Sequence, residues 1–499
     1  MRRSRPGTVR RHVLPVLAAA ALLTAACGQG EEPSEAATST PPTSPTQSPT
    51  RPASPPAKAA TPTSEPTTYV PIVLAVHATR PPLDVPRELA ERILAGTVVD
   101  WAELGAPAQP LRVVASPGVD PPLRIRVGSA AEAIGAAQED TAVVAVVEAA
   151  SVGPTVRVIT VDGVDPLQTP ATYRLKIPGI PPASVVTMSF VGDVMLARGV
   201  GRVIAASADS AAPLRPTAER LAGADVTIGT LESTLSRIGP PTQGGDSFGA
   251  DPSVRAGLTL AGFDVLSLAA NHLGDYGAES IVETVSLVRE TGIIPVGGGA
   301  DLAEAQTPAI VERDGTTIGF LAFNAIGETP RAEPGVPGAL EVRMGSRTGP
   351  LVPADVTAMQ DRVRALSAQV DLVVVLPHWG TQYTYEPEED QRIVGRAMID
   401  AGADLVVGGH PHWVQGVELY AGAMIVHSLG NYVFDMDFMS ETMEGAILDV
   451  TLWDGEVKAA TFAPIRMDAS FTPREVSYAD GASVIDGIWG SSLAPFARP

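Results

Sequence analysis

From Thr187 onward, six apolar runs each stop on a polar residue, and this regularity constrains the fold more than any other feature. They read TMSFVGD, DVTIGTLES, DVLSLAANH, LVVVLPHWG, ADLVVGGHPH and AMIVHSLGN, with helix-like stretches such as GAESIVETVSLVRETG and EEDQRIVGRAMIDAG between several of them. A run that is apolar at successive positions suits a strand buried on both faces, as in a largely parallel sheet covered by helices. Sheets of that kind carry their functional groups just beyond the carboxyl ends of the strands. The pattern predicts an α/β domain over residues 187–470 with its working residues at one edge. It leaves 471–499 as an irregular C-terminal tail.

The strand ends supply Asp193, Glu232, Asn271, His272, His378, His410 and His412. Each alone has an ordinary structural explanation: a turn aspartate, an acid at a helix start, a turn pair, a core imidazole bonded to backbone. Together they use four of the chain's seven histidines. His410 and His412, with Pro411 between them, face the same way on an extended segment. Oxygen and nitrogen donors without a thiolate suit Zn, Mn or Fe. Seven donors exceed what one tetrahedral ion can use, so the set predicts two divalent metal ions with a carboxylate able to bridge them. His427, which precedes SLGN, reads as packing or as support for a ligand.

The chain opens with a basic stretch (Arg2, Arg3, Arg5, Arg10, Arg11) followed by an Ala/Leu-rich run, Val13–Ala26, too short to span a bilayer comfortably. Residues 1–27 therefore read as a signal peptide and place the mature protein outside the cytoplasm. The single cysteine, Cys27, follows LLTAA and resembles the acylated cysteine of a bacterial lipobox, although Thr24 stands where that pattern prefers Leu. Lipid attachment at Cys27 would anchor the protein to the cell membrane; without acylation the chain would be secreted. One cysteine allows no internal disulfide. Residues 28–69 are dominated by Pro, Thr, Ser and Ala and read as a disordered tether. The formal net charge of −21, with no basic stripe, argues against a nucleic-acid partner.

Residues 70–186 alternate strand-like runs (YVPIVLAVHA, LRVVAS, TAVVAVVEA, TVRVITV) with helix-like ones (PRELAERILAG, AAEAIGAAQ), as a small α/β domain would. The stretch LAERILAGTVVDWAELGAPAQPLRVVAS resembles part of one lobe of phosphate-type periplasmic solute-binding proteins. That resemblance covers about a hundred residues, fewer than the two lobes such receptors use to clamp a ligand. It implies a reduced, single-lobe docking or accessory module.

The series GDVML, LEST, ANH, PHWG, GGHPHWVQ and HSLGNYVFD, in this order over about 187–465, resembles the CapA family of capsule synthesis proteins, linked to poly-γ-glutamate capsules. That family belongs to the calcineurin-like metallophosphatase superfamily. The resemblance implies a metallophosphatase-like four-layer αββα sandwich, here preceded by the small α/β domain. It also implies a ligand division: Asp193, Glu232 and His412 around one ion, and Glu232, Asn271, His378 and His410 around the other. His272 would be the general acid. The chain departs from the family at Gln382, where an acid is common, and from the superfamily at Met195, where a ligating histidine would stand. Three functions remain open on this reading. The first is a cell-surface metal-dependent hydrolase of a phosphoester in surface-polymer synthesis or anchoring. The second is a non-catalytic capsule assembly or retention protein, and the third a hydrolase of γ-glutamyl amide bonds. The implied partners are a surface polymer or phosphorylated substrate, the membrane through its lipid anchor, and capsule export proteins.

Overall fold

Two sheets face each other across one apolar core, and the alternation of side chains along their strands shows how the sequence builds this. The structure is a computed structural model, and it describes residues 68–119, 127–236 and 238–498. The signal segment, Cys27 and residues 28–67 of the tether lie outside the described residues. In the strand Leu372–His378, Val374 and Leu376 enter the core between the sheets, while Val373 and Val375 enter a second core on the other face. A strand with side chains alternately up and down can be apolar throughout only if both faces are covered.

The first sheet runs, in spatial order, Ile294–Val296, Val265–Ser267, Val226–Leu231, Val185–Val194, Glu444–Trp453, Glu456–Met467, Pro473–Glu475. Its first four strands are mutually parallel, and Glu444–Trp453 turns antiparallel to Val185–Val194. The short strand Asn431–Val433 also pairs with Val185–Val194. The second sheet runs Ala309–Arg313, Thr316–Asn324, Leu372–His378, Leu405–Val407, Ala423–Leu429, Val414–Tyr420, with a parallel centre and antiparallel edges. Phe190, Val226 and Leu448 of one sheet meet Phe320, Val374, Leu405 and Val426 of the other.

Helices close the outer faces. Ala278–Glu290 presents Ile281, Val285 and Val288 on one stripe toward the first sheet, the spacing of an amphipathic helix. Glu389–Asp400 and Pro353–Ser367 cover the second sheet with Val394, Met398, Met359 and Val363. A reciprocal cap starts the former, with Glu388 N donating to Gln391 Oε1 at 2.8 Å. The result is the four-layer αββα sandwich that the family resemblance implies; the apolar runs by themselves predicted only an α/β domain with helix-covered sheets. No helix among the described residues is long and apolar enough to cross a membrane.

Residues 471–499, expected to be irregular, instead contribute the edge strand Pro473–Glu475 and the helix Ala482–Gly490. Ile485, Ile488, Trp489 and Phe496 complete the core between the sheets, each fully buried side chain of this kind adding roughly 1.5–3 kcal/mol. Ahead of the sandwich, Arg112–Ala115, Val143–Glu148, Tyr69–His77 and Val156–Val158 form a separate sheet, with Lys176–Pro178 also paired to Tyr69–His77. This sheet packs on the hairpin end at Trp453, whose Nε1 donates to Leu167 O at 2.7 Å. Trp453 pairs with Val185, the start of the strand whose far end carries Asp193. At about 3.3 Å per residue the small domain touches the sandwich roughly 25 Å from that aspartate.

Candidate metal centre

All seven strand-end residues lie at one edge of the sandwich, and the two sheets share the task of supplying them. Asp193, Glu232, Asn271 and His272 come from the first sheet; His378, His410 and His412 come from the second. Glu232, His378 and His410 form one group of donor atoms within 4.8 Å of one another, and Asp193, Glu232 and His412 form another. Glu232 belongs to both. Asn271 adds an amide oxygen to the first group, its Oδ1 lying 2.9 Å from His378 Nε2.

Backbone packing explains why this geometry needs the glycines before His410. An added methyl at Gly409 would sit 2.6 Å from Asp193 Oδ1, and one at Gly408 would strike Trp379 Nε1 and His427 O. With glycine there, the chain closes onto the aspartate, and His410 N donates to Asp193 Oδ2 at 3.0 Å. The expectation of an extended segment is corrected at this point. His410 has φ 96° and His412 φ 60°, left-handed conformations that are uncommon outside glycine. The histidines converge on the pocket through this strained turn rather than through strand periodicity, as happens at functional sites whose surroundings hold such conformers in place.

The buried polar atoms test whether a cation fits. Asp193 Oδ1, both oxygens of Glu232, His378 Nδ1 and both ring nitrogens of His410 are buried with no hydrogen-bond partner among the described residues. Asp193, Glu232 and His410 are fully buried. Unpaired carboxylates in such surroundings are costly, whereas a bound cation would satisfy these same atoms together. These residues could hold divalent metal.

The electrostatics agree. Burial, reinforced by the Glu232 charge, pushes the Asp193 carboxyl up to about 7. Burial also pushes Glu232 up to about 8, with Asp275 and Glu328 adding to the rise and His272 opposing it. Burial drives His412 down to about 3, and it lowers His410 well below the usual histidine value with help from His378 and His412. His378 falls for the same first reason. Neutral imidazole is the ligating form, and metal would take the place of protons on the carboxylates.

This arrangement fixes the sign of a pH effect. The raised carboxylate pKa values favour the folded state below the unfolded values of 3.8 and 4.5, and that contribution is lost as pH rises through about 7 and 8. The lowered histidines penalise the folded state only below their ordinary 6.5. Between pH 6.5 and 8.5 chelator-treated protein is therefore expected to lose stability with rising pH, at up to about 1.4 kcal/mol per pH unit for each extra proton held by the folded state. Metal-loaded protein should lose less or gain. Thermal melts of both forms across this window check it; parallel profiles would refute it.

His272 stands on the pocket wall, its Nε2 3.9 Å from Glu232 Oε1. Its Nδ1 donates to Asp275 Oδ2 at 2.8 Å, and its ring stacks on Phe248 with centroids 3.7 Å apart. Asp275 also accepts from Phe248 N and Gln243 Nε2, both at 2.6 Å, so the carboxylate is itself held rigidly. Sequence reasoning missed Asp275, although its place three residues after His272 in NHLGD was a local signal. It also missed Asn431, which accepts from His412 Nδ1 at 2.9 Å, and Glu328, which accepts from Asn271 Nδ2 at 2.7 Å. Glu328 carries no local signal, whereas Asn431 closes the apolar run AMIVHSLGN and was passed over among the strand-end residues. His427 stacks on Trp379 and joins neither donor group. Met195 is buried in the core beneath the helices, with Ala197 N donating to its sulfur at 3.1 Å.

Comparison with known proteins follows the same residues. The family described as "Bacterial capsule synthesis protein PGA_cap" matches residues 187–436. The chain is 30% identical over 300 residues to the PGA biosynthesis protein CapA of Bacillus subtilis, a match covering 57% of this chain and 75% of that protein. It is 28% identical over 293 residues to a probable polyglutamine synthesis accessory protein of Mycobacterium tuberculosis, covering 51% of this chain and 75% of that one. Among solved structures, a putative 5'-nucleotidase from Staphylococcus aureus in complex with alpha-ketoglutarate aligns at 15% identity and a TM-score of 0.35, over 61% of this chain and 58% of that one.

Proposed function

The chain belongs to the bacterial capsule synthesis protein family PGA_cap, and from that premise we propose that it is a metal-dependent hydrolase of a phosphoester. Its setting would be the synthesis or anchoring of a surface polymer of the poly-γ-glutamate kind. The observation that carries the hydrolytic reading is the pairing of His272 with Asp275 beside two groups of buried donors. In these groups, oxygens of Asp193 and Glu232 and ring nitrogens of His378 and His410 have no hydrogen-bond partner among the described residues. A site for binding alone would need the donors but not an imidazole oriented by a carboxylate.

Asp193, Glu232 and His412 would hold one divalent cation, and Glu232, Asn271, His378 and His410 the other. Bound there, the cations would supply Lewis-acid polarisation of a phosphoryl oxygen and a nucleophile usable near neutral pH. His272, with Nδ1 tied to Asp275, would present Nε2 to the leaving oxygen and deliver a proton there. Phe248 covers the imidazole face and shields it from water.

Met195 supports a second reading, a lipid-anchored assembly or retention protein without turnover, because that position offers the pocket no donor. We further propose that the protein works on the outer side of the membrane, anchored through Cys27, with residues 70–186 as an accessory module. Purified protein loaded with Mn, Fe or Zn should hydrolyse a phosphomonoester or phosphodiester and stop on chelation. Turnover of none of these substrates would favour the assembly reading, and cleavage of poly-γ-glutamate alone would favour the amide reading.

A further inference from the structure

The amide of Asn271 can serve a cation only with its oxygen toward the pocket, and an asparagine has no intrinsic preference for one orientation. Here the orientation is imposed from outside. Asn271 Nδ2 donates to Glu328 Oε2 at 2.7 Å, and a carboxylate can only accept, so the nitrogen must face Glu328. Oδ1 is thereby turned toward His378 Nε2, at 2.9 Å.

Glu328 is itself fixed. It adopts φ 65°, a left-handed backbone that a non-glycine residue rarely takes. Its neighbour Thr329 is buried and clamps the Asn271 loop on both sides: Oγ1 donates to Ala270 O at 2.9 Å and accepts from Gly274 N at 2.9 Å. The remaining carboxylate oxygen of Glu328 accepts from Arg347 Nη2. Glu328 thus lies 57 residues from Asn271 in sequence yet is held against it by three separate contacts.

We propose that Glu328 is a positioning residue: by fixing the Asn271 amide it sets the affinity of the cation group formed by Glu232, His378 and His410. The proposal rests on the metal reading above but concerns one group only. Supporting partners of this kind typically change metal affinity by roughly 10–100-fold.

The test is a Mn2+ titration of the full chain by calorimetry, with electron paramagnetic resonance reporting spin coupling between paired ions. Wild-type protein should bind two equivalents. Glu328→Ala should weaken one of the two equivalents by about 10–100-fold and lose the coupling, leaving the other equivalent in place and the cation-free protein folded. Glu328→Gln, which keeps an acceptor for Asn271 Nδ2, should recover most of the loss. Unchanged affinity for both equivalents in Glu328→Ala would overturn the proposal while sparing the metal reading. Equal weakening of both equivalents, or a Gln variant as poor as the Ala one, would also overturn it. A wild-type protein that binds no Mn2+ would remove both.

Discussion

Glu232→Gln is expected to empty both cation groups at once. Glu232 is the side chain common to the two groups, and both of its oxygens are buried with no hydrogen-bond partner among the described residues. An amide presents one oxygen instead of two and carries no charge to offset a divalent ion. The fall in affinity should therefore exceed the roughly 10–100-fold typical of losing a mere supporting partner. A second readout separates this from misfolding. In cation-free protein the carboxylate is a burden, as burial pushes it up to about 8. The neutral amide removes that burden, so cation-free Glu232→Gln should melt at or above the wild type at pH 8 while binding almost nothing. Elemental analysis after dialysis, paired with thermal melts, measures both. A variant that retains two equivalents of metal would contradict the bridging assignment.

His272→Ala should do the opposite: keep its metal and lose its turnover. His272 is outside both donor groups, and its imidazole is already committed through Nδ1 to Asp275. Positioned proton donors typically contribute about 10²–10⁴-fold to rate, and a loss of that size in kcat is expected on a phosphoester with a poor leaving group. A leaving group that departs without protonation, such as a nitrophenolate, should be far less affected. Asp275→Asn should follow the same pattern with a smaller loss, since it disturbs the imidazole's orientation without removing the ring. Equal loss on both substrates would instead point to a structural role for the ring against Phe248.

The reach of sequence reasoning differs between these residues for a physical reason. Asp193, Glu232, His378 and the His410/His412 pair were legible because each closes an apolar run, and burial of that run fixes where its end must lie. Asp275 was half legible, through its spacing from His272. Asn431 closes the run AMIVHSLGN, but its bond to His412 was not legible, and Glu328 was not legible at all, because these pairings depend on which loops meet once two sheets have packed. The turn at His410 and His412 was misjudged on the same account. Its left-handed angles are imposed by Asp193 and by Gly409, which allows the close approach. The C-terminal segment was underread for another reason. Ile485, Ile488 and Trp489 are a helical stripe visible in VIDGIWG, but it is short and flanked by glycines.

The division of the pocket between two sheets has a biosynthetic consequence. Asp193 and His410 stand 217 residues apart, and neither sheet by itself offers a complete donor group. A nascent or unfolded chain thus lacks either assembled donor group. A cation bound by these groups would have to be acquired after folding, so its identity would be set by the compartment in which the chain folds and not by the one in which it is made. A chain exported unfolded would be loaded from extracellular supply, and one exported folded would carry out the ion it had met inside.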